Sequence, residues 1–355
     1  MPNHIIERVP TTRYQGSKRK ILPWLYDNLR GLEFENVLDG FGGTASVSYL
    51  FKLMGKSVTF NDILSSNYQT GLAVVVNDTL TLDDRDINFL LHENGYHYPT
   101  FIRDTFKDIY YTNAENKWLD VILYNIKMLA NLYDEHHLQT KKALAYHALF
   151  QACLCKRPFN LFHRKNLYLR TANTERSFGN KTTWDMDFDI LFIRFVEELK
   201  KKVFSNGKKH TALCQDIMDC KGLVYDLVYF DPPYARLTNS HNVDYYASYH
   251  FLEGLVNYEN WPSKIDWSTK NKRLLNQISN WKTTTLEANF EHLFQLFQNS
   301  IIVVSYGQPG NPPISTIERL LKKYKSDVSI VQKEYAYRLN HRNGDGLYEV
   351  LIVGK

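Results

Sequence analysis

The chain has 355 residues, a formal net charge of +5 at pH 7, and 44% hydrophobic residues. That length and composition suffice for one large domain or two ordinary ones with a proper core, which excludes an intrinsically disordered chain. Four cysteines are too few for a disulfide framework in so long a chain, and no apolar run reaches the roughly 18 residues that would cross a bilayer. Residues 1–10 lack the apolar centre of a secretion signal, so we expect a cytoplasmic protein with reduced cysteines.

The first sixty residues predict the start of a parallel sheet. In chain order, the hydrophobic spacing indicates a polar loop, a helix, a strand, a second helix and a second strand, at 12–18, 20–29, 36–38, 44–54 and 57–60. The first strand ends at Asp39 and the second at Asn61 and Asp62. A strand, a helix and another strand in this order are typical of a β-loop-α-β unit.

The middle of the chain predicts helices, and the last third predicts strands again. Residues 64–155 are mainly helical in pattern, with the strongest periodicity at 117–133 and 141–154, and a further helix is predicted at 185–204. The later strands are predicted at 211–214, 227–230, 301–305, 328–334 and 348–353. The last two could form an antiparallel hairpin, so the sheet is expected to be mixed and to be interrupted by a long insertion.

A glycine-containing loop follows the first strand, at Asp39–Gly43. Glycines let the backbone approach a ligand closely, and the N-terminus of the next helix presents free N–H groups. Asp62 ends the following strand and could accept hydrogen bonds from both hydroxyls of a ribose. The pattern therefore predicts an adenosine-containing cofactor. Asp39 favours S-adenosylmethionine over NAD, because a carboxylate repels a pyrophosphate but suits an α-amino group and a sulfonium.

A second signal follows the strand at 227–230, in the four residues Asp231, Pro232, Pro233 and Tyr234. Ligands of open α/β sheets bind at the carboxyl ends of the strands, and the two prolines stiffen the turn. Asp231 and a neighbouring carbonyl offer two acceptors, and the ring of Tyr234 offers a face on which a base could stack. Together they suit the exocyclic amino group of a planar heterocycle.

The segment 156–183 is basic and has no clear period. It contains seven lysines and arginines against a single acid, Glu175. A focused positive stretch within an otherwise balanced protein is typical of a surface that faces phosphates, although a solvated loop has the same composition. We expect a long structured loop at this place.

Several blocks, in order, resemble the N6-adenine-specific DNA methyltransferases of the Dam-like group. The blocks lie at Arg13–Lys18, Asp39–Gly43, Asn61–Asp62, Arg157–Asn160 with Arg164 and Asn166, Phe178–Gly179, Gln215–Ile217, Asp231–Tyr234 and Glu349–Val353. The chain departs from the family at Gly40, where the family has proline, and at Ala45, the last small residue of the loop. Both keep the loop compact.

The resemblance implies a Rossmann-like methyltransferase with a mixed sheet and an inserted, mainly helical target-recognition domain. The catalytic domain would comprise 1–65 and 205–355, and the insertion 66–204. The chain would transfer a methyl group from S-adenosylmethionine to the N6 amino group of an adenine flipped out of double-stranded DNA. It would act as a monomer without a metal, and as the modification enzyme of a restriction-modification system whose endonuclease is a separate protein.

The resemblance also implies residue roles. The catalytic residues would be Asp231, Pro232, Pro233 and Tyr234. The cofactor would contact Tyr14, Lys18, Asp39, Gly40, Phe41, Gly42, Gly43, Asp62, Asp216 and Ile217, with Lys18 paired to its carboxylate. DNA would contact Arg157, Asn160, Arg164 and Asn166, where arginines suit guanine or phosphate and asparagines suit adenine.

Other activities remain compatible with these residues. The same core occurs in RNA and protein methyltransferases, although asparagine is commoner there at the position of Asp231. N4-cytosine transfer is also possible, although serine usually leads the motif in that class. A nucleic-acid-binding protein without activity is the third alternative, against which the intact Asp231 and Asp62 argue.

Overall fold

The structure is a computed structural model of the whole chain. It describes all residues except 1, 15, 173–180, 221, 223, 234–243, 276–280, 282–284 and 335–347. Tyr234, Phe178 and Gly179 therefore lie outside the described residues, as does the segment that joins the last two strands. No helix in the described part is both long enough and apolar enough to cross a membrane.

A single mixed sheet of seven strands forms the centre of the described structure. The strands are β1 (Asn36–Asp39), β2 (Ser57–Asn61), β3 (Thr211–Leu213), β4 (Leu227–Phe230), β5 (Ile301–Gln308), β6 (Val328–Glu334) and β7 (Tyr348–Gly354). Their order is β3-β2-β1-β4-β5-β7-β6. Neighbours from β3 to β5 pair in parallel, and β7 pairs antiparallel with both β5 and β6. The predicted strands and the mixed sheet are thus confirmed.

The helices surround this sheet. They are α1 (Pro2–Arg8), α2 (Leu22–Leu29), α3 (Ser46–Leu53), α4 (Ser65–Gly71), α5 (Asp84–Leu91), α6 (Phe101–Thr105), α7 (Asn113–Met128), α8 (Glu135–Cys155), α9 (Tyr168–Thr171), α10 (Lys181–Asp185), α11 (Phe188–Lys200), α12 (Tyr245–Val256), α13 (Trp261–Lys264), α14 (Leu286–Leu296) and α15 (Ile314–Leu321). Those from α4 to α11 lie between β2 and β3 in the chain, where a helical insertion was predicted.

The two long helices of this insertion begin earlier than the apolar spacing predicts, because capping side chains define their starts. Thr112 caps α7 and forms a reciprocal capping box with Glu115. Asp134 caps α8 by accepting a hydrogen bond from the backbone N–H of His137. The pair His136 and His137 therefore lies in the first turn of α8.

Both faces of the sheet are buried, and β1 contributes to both. Val37 packs into a large core with Phe60 of β2, Leu149 of α8 and Phe192 of α11. Leu38, which points the other way, packs into a second core together with β4, β5, α14 and α15. The insertion therefore shares one continuous core with the sheet, and its division from the catalytic domain stays a prediction.

Candidate active site

Asp231 follows β4 directly, at the carboxyl edge of the sheet. Its Oδ1 lies 3.0 Å from Nζ of Lys18, and the same Nζ lies 2.8 Å from Oε1 of Glu349. Oγ of Ser305 donates to that Glu349 oxygen at 2.6 Å. Because β7 runs antiparallel, Glu349 at its start meets the ends of β4 and β5 at this edge. The catalytic residue predicted from the sequence is thus held in a cluster of charged groups.

The charges around Asp231 control its protonation. Burial raises the pKa of Asp231 to about 6, where the ammonium of Lys18 lowers that pKa and the carboxylate of Glu349 raises it. The carboxylate is therefore ionised at neutral pH, yet it is more basic than an exposed aspartate. A base of this kind can accept a hydrogen bond from an amino group and can also receive its proton.

The turn that carries Asp231 is held by a residue that sequence reasoning missed. Nε1 of Trp281 donates to the carbonyl oxygen of Pro233 at 2.8 Å. The indole ring also lies edge-on to Phe41 of the glycine loop, with ring centroids 5.1 Å apart. Trp281 thus connects the predicted catalytic turn to the predicted cofactor loop. It lies about fifty residues beyond the turn, and no local pattern marks it.

Asp39 lies at the end of β1, next to the glycine loop. Its Oδ2 accepts a hydrogen bond from Oγ of Ser48 at 2.6 Å. Its buried Oδ1 has no hydrogen-bond partner among the residues that the structure describes. Burial raises the pKa of Asp39 to about 7, the hydroxyl of Ser48 lowers it, and the negative charges of Asp231 and Asp62 raise it further. A buried carboxylate oxygen without a partner is a place for a cationic ligand group.

The loop requires glycine for two different physical reasons. A Cβ on Gly40 would lie 2.8 Å from Ile217 and 2.9 Å from Phe230, and a Cβ on Gly42 would overlap the ring of Phe60. These two positions therefore require glycine for packing against the protein itself. Gly43 has a φ of +50°, which favours glycine for conformational reasons.

Asp62 holds the loop from the end of β2. Its Oδ2 accepts from the backbone N–H of Gly43 at 2.8 Å, and its Oδ1 accepts from that of Leu64 at 2.8 Å. Burial raises the pKa of Asp62, and these backbone hydrogen bonds lower it. Each carboxyl oxygen has more than one lone pair and can accept a further hydrogen bond, so the side chain remains suited to the hydroxyls of a ribose.

The remaining predicted cofactor residues surround this edge. Asp216 caps a short turn by accepting from the N–H of Met218 at 3.0 Å, and the buried Ile217 packs beneath Gly40. The ring of Tyr14 stacks on that of Tyr249, with centroids 4.0 Å apart and 9° between the planes.

Lys18 lies between the carboxylates of Asp231 and Glu349. To pair with a cofactor carboxylate, as predicted, its ammonium would have to leave or share these two partners.

The basic segment faces inward more than its composition suggests. Lys156, Arg157 and Arg170 are buried, and both Lys156 and Arg170 form ion pairs with Glu115 of α7. Burial raises the pKa of Glu115, but the two cations lower it below its ordinary value. In the structure these three side chains therefore face inward, and α7 supplies the carboxylate that pairs with Lys156 and Arg170. The interpretation of 156–183 as a phosphate-facing surface stays a prediction.

The four predicted DNA contacts divide into buried and accessible side chains. Arg157 and Asn166 are buried, and the guanidinium of Arg157 donates to Oδ1 of Asn166 and to the carbonyl of Leu161 at 3.1 Å. Arg164 is exposed, and Asn160 is half-buried at a turn with a positive φ of 57°. Contact with DNA stays a prediction for all four, and the two buried residues hold the loop in this structure.

The comparison with known proteins assigns this arrangement to a family. A family model described as D12 class N6 adenine-specific DNA methyltransferase matches residues 14–298, which include the N-terminal block from Tyr14 onward, the glycine loop and the turn at Asp231. The chain belongs to this family. The chain is also 26% identical over 353 residues to the Type II methyltransferase M2.HphI of Haemophilus parahaemolyticus, and the match covers 97% of both proteins.

In this methyltransferase, α12 joins three parts of the site that lie far apart in the sequence. Tyr249 stacks on Tyr14, and Nε2 of His250 lies 2.8 Å from the hydroxyl of Tyr110. Both oxygens of Glu253 accept from backbone N–H groups at the start of α4, next to Asp62. Burial raises the pKa of Glu253 and lowers that of His250 to about 3. No sequence pattern marks these contacts, since each depends on packing between segments that are distant in the chain.

Proposed function

We propose that the methyltransferase takes the methyl group from S-adenosylmethionine and acts on an adenine that has been flipped out of the duplex. The observation that carries this proposal is the position of Asp231 at the same sheet edge as Asp39 and Asp62. One edge therefore offers acceptors for an amino group beside acceptors for a cationic nucleoside.

The residues at this edge fit such a cofactor. S-adenosylmethionine supplies, when bound, an electrophilic methyl group on a positively charged sulfur. Oδ1 of Asp39, which has no partner among the described residues, would accept from the α-amino group, and Asp62 would accept from the ribose hydroxyls. Phe41 and Trp281 would provide aromatic surface beside the loop.

Asp231 would activate the adenine. The lone pair of the amino nitrogen is delocalised into the ring, so this nitrogen is a poor nucleophile. Asp231 and the carbonyl of Pro232 would each accept one of its hydrogens, which favours a tetrahedral nitrogen with an available lone pair. The pKa of about 6 keeps Asp231 ionised at neutral pH for this task. Holding two reactants in a reactive geometry can lower a barrier by about 7–11 kcal/mol in favourable cases.

The proposed substrate needs a stacking face for the flipped adenine and a contact for the phosphates of the duplex. Flipping costs a few kcal/mol, and stacking on Tyr234 would recover part of this free energy. The exposed Arg164, with Asn160 nearby in the chain, is the predicted contact for the duplex. Arg157 and Asn166 would support this loop from beneath.

The relative is named as a Type II methyltransferase. This likeness supports our proposal that the chain works in a restriction-modification system. We further propose that it protects cytoplasmic DNA from a separate endonuclease and acts as a monomer.

The test is methyl transfer from labelled S-adenosylmethionine to duplex DNA, RNA and protein. Wild-type protein should label N6 of adenine in duplex DNA. Asp231→Ala should lower kcat by at least about 10³-fold while the dissociation constant for the cofactor stays within about twofold, because general acid-base groups contribute about 10²–10⁴-fold and the Oδ atoms also orient the base.

Asp327→Ala is the control, since this exposed aspartate lies at the opposite edge of the sheet, just before β6. Turnover by Asp231→Ala at the rate of this control would show that the catalytic assignment is wrong.

A further inference from the structure

Glu349 is a buried carboxylate that the mechanism above does not use. It lies at the start of β7 with 7% of its surface exposed. Its Oε1 accepts from Nζ of Lys18 at 2.8 Å and from Oγ of Ser305 at 2.6 Å. Lys18 from the turn before α2 and Ser305 from β5 therefore both donate to one oxygen atom of Glu349.

A buried carboxylate is costly unless it is paired, and among the described residues Glu349 shares its cation, Lys18, with Asp231. The lysine ammonium has three N–H donors, so it can donate to both carboxylates at once. The side chains of Lys18, Asp231 and Glu349 are 10%, 21% and 9% exposed, so water screens their charges poorly. The carboxylates of Asp231 and Glu349 thus fix the position of the Lys18 ammonium between them.

We propose that Glu349 is a positioning residue for methyl transfer: together with Ser305 it anchors Lys18, which holds Asp231 by Oδ1 and leaves Oδ2 to accept the adenine amino group. This inference rests on the proposed function, because it assumes that Asp231 binds the base. Glu349 itself touches neither the base nor the cofactor, and it acts through Lys18.

The charge of Glu349 has a second consequence for Asp231. Among the described residues, the charged and titratable groups that act on Asp231 are Lys18, Glu349, Asp39 and Tyr229. Lys18 lowers the pKa of Asp231, and Glu349 raises it. Glu349 therefore offsets part of the effect of the ammonium and keeps Asp231 basic while Lys18 orients it.

Two substitutions separate position from charge. Glu349→Leu removes the anchor, so kcat should fall by about 10²-fold, as expected for a reacting group displaced by about 1 Å, while the KM values for DNA and cofactor stay within about twofold. Glu349→Gln keeps an acceptor for Lys18 and Ser305 but removes the charge. The pKa of Asp231 should then fall, so the acidic limb of the kcat profile should move to lower pH while kcat at pH 8 changes less than in Glu349→Leu.

Glu334→Gln is the matched control, because this glutamate at the end of β6 is exposed. It should retain the wild-type profile. Wild-type kcat and pH dependence in both Glu349 variants would overturn the proposal, as would a rise in the cofactor KM at unchanged kcat. If Glu349→Leu does not fold, the Glu349→Gln variant alone tests the proposal: an acidic limb at lower pH supports it, and an unchanged limb overturns it.

A measurement without turnover separates this inference from the proposed function. The carboxyl carbon of Asp231 can be titrated by NMR in protein with ¹³C-labelled aspartate and assigned with Asp231→Asn. A lower midpoint in Glu349→Gln than in wild type supports the inference, and an unchanged midpoint overturns it. If wild-type protein methylates no DNA, the proposed function fails, and this titration still decides whether Glu349 controls Asp231.

Discussion

Asp39 and Asp231 are two carboxyl groups at one sheet edge whose pKa values are raised by burial, to about 7 and about 6. The groups that contact the two carboxyls differ, and so do the roles that we propose for them. Asp231 is held by an ammonium, so it stays ionised and oriented. Asp39 is held by one hydroxyl and has a buried oxygen without a partner among the described residues. It is therefore poised to receive a cation.

We predict that cofactor binding depends on the ionisation of Asp39. Below about pH 7 the free protein holds a proton on Asp39 that a cationic ligand must displace, so affinity for S-adenosylmethionine should fall as the pH falls. Asp39→Asn should weaken binding at pH 8 by about ten- to a hundredfold, the value of about 1.5–3 kcal/mol for a hydrogen bond to a charged group, and should flatten the pH dependence. Titration calorimetry from pH 6 to 8 measures both, and equal affinity for variant and wild type would remove Asp39 from the cofactor site.

The same substitution should stabilise the protein without cofactor. Asp39 has a higher pKa in the folded state than the ordinary 3.8. The folded protein therefore binds more protons than the unfolded chain between about pH 4 and 7, and its stability falls as the pH rises through this window. Asp39→Asn removes this loss, so its thermal midpoint at pH 8 should exceed that of wild type. Loss of function with gain of stability is typical of a group kept for binding.

At the scale of the element, the loop after α8 depends on cations that face inward. The guanidinium of Arg157 lies 4.4 Å from the ring centroid of Tyr110 and donates to backbone carbonyls of its own loop. Arg170 forms a two-point ion pair with Glu115. These contacts explain how the described residues of this basic, aperiodic segment can keep a defined conformation.

Two arginines of this loop give a matched comparison. Arg157→Met should lower the free energy of unfolding by at least about 2 kcal/mol, because several buried acceptors lose their donor. The exposed Arg164→Met should leave the free energy of unfolding within about 0.5 kcal/mol, weaken DNA binding, and reduce the salt dependence of that binding by about one phosphate contact. Urea unfolding and DNA titration at several salt concentrations measure these effects. If Arg164→Met bound DNA like wild type, the loop would have to contact DNA through other residues.

At the scale of the whole molecule, the helical insertion and the sheet share one core. Val37 and Phe60 of the sheet belong to the same cluster of buried side chains as Leu149 and Phe192 of the insertion. Helix α12 adds polar contacts to both parts, through Glu253 and His250. The insertion is therefore packed as part of the catalytic fold.

We predict that the protein unfolds in a single cooperative transition despite its discontinuous arrangement. A shared core couples the two parts, so calorimetry should show one peak whose calorimetric and van't Hoff enthalpies agree. Leu149→Ala, in α8, should lower the midpoint of the whole transition, because it removes a buried side chain at a typical loss of about 2–5 kcal/mol. Two resolved peaks, of which Leu149→Ala shifts only one, would instead establish independent domains.

Much of this protein can be predicted from its sequence, because strands, loops and helix starts depend on residues that are close in the chain. The strands, the mixed sheet and the position of Asp231 after β4 follow from apolar runs ended by Asp, Gly and Pro. The resemblance of the blocks at Asp39 and Asp231 to adenine methyltransferases is confirmed by the family match.

Only the tertiary structure decided which side chains meet. Lys18 and Glu349 are 331 positions apart in the chain, and composition suggested solvent exposure for the arginines of 156–183. In the fold, Lys18 lies between two carboxylates, Trp281 holds the turn at Pro233, and Arg157 is buried. The physical reason is that charge pairing and burial depend on distances in space, which arise from the packing of many weak contacts and leave no local pattern in the sequence.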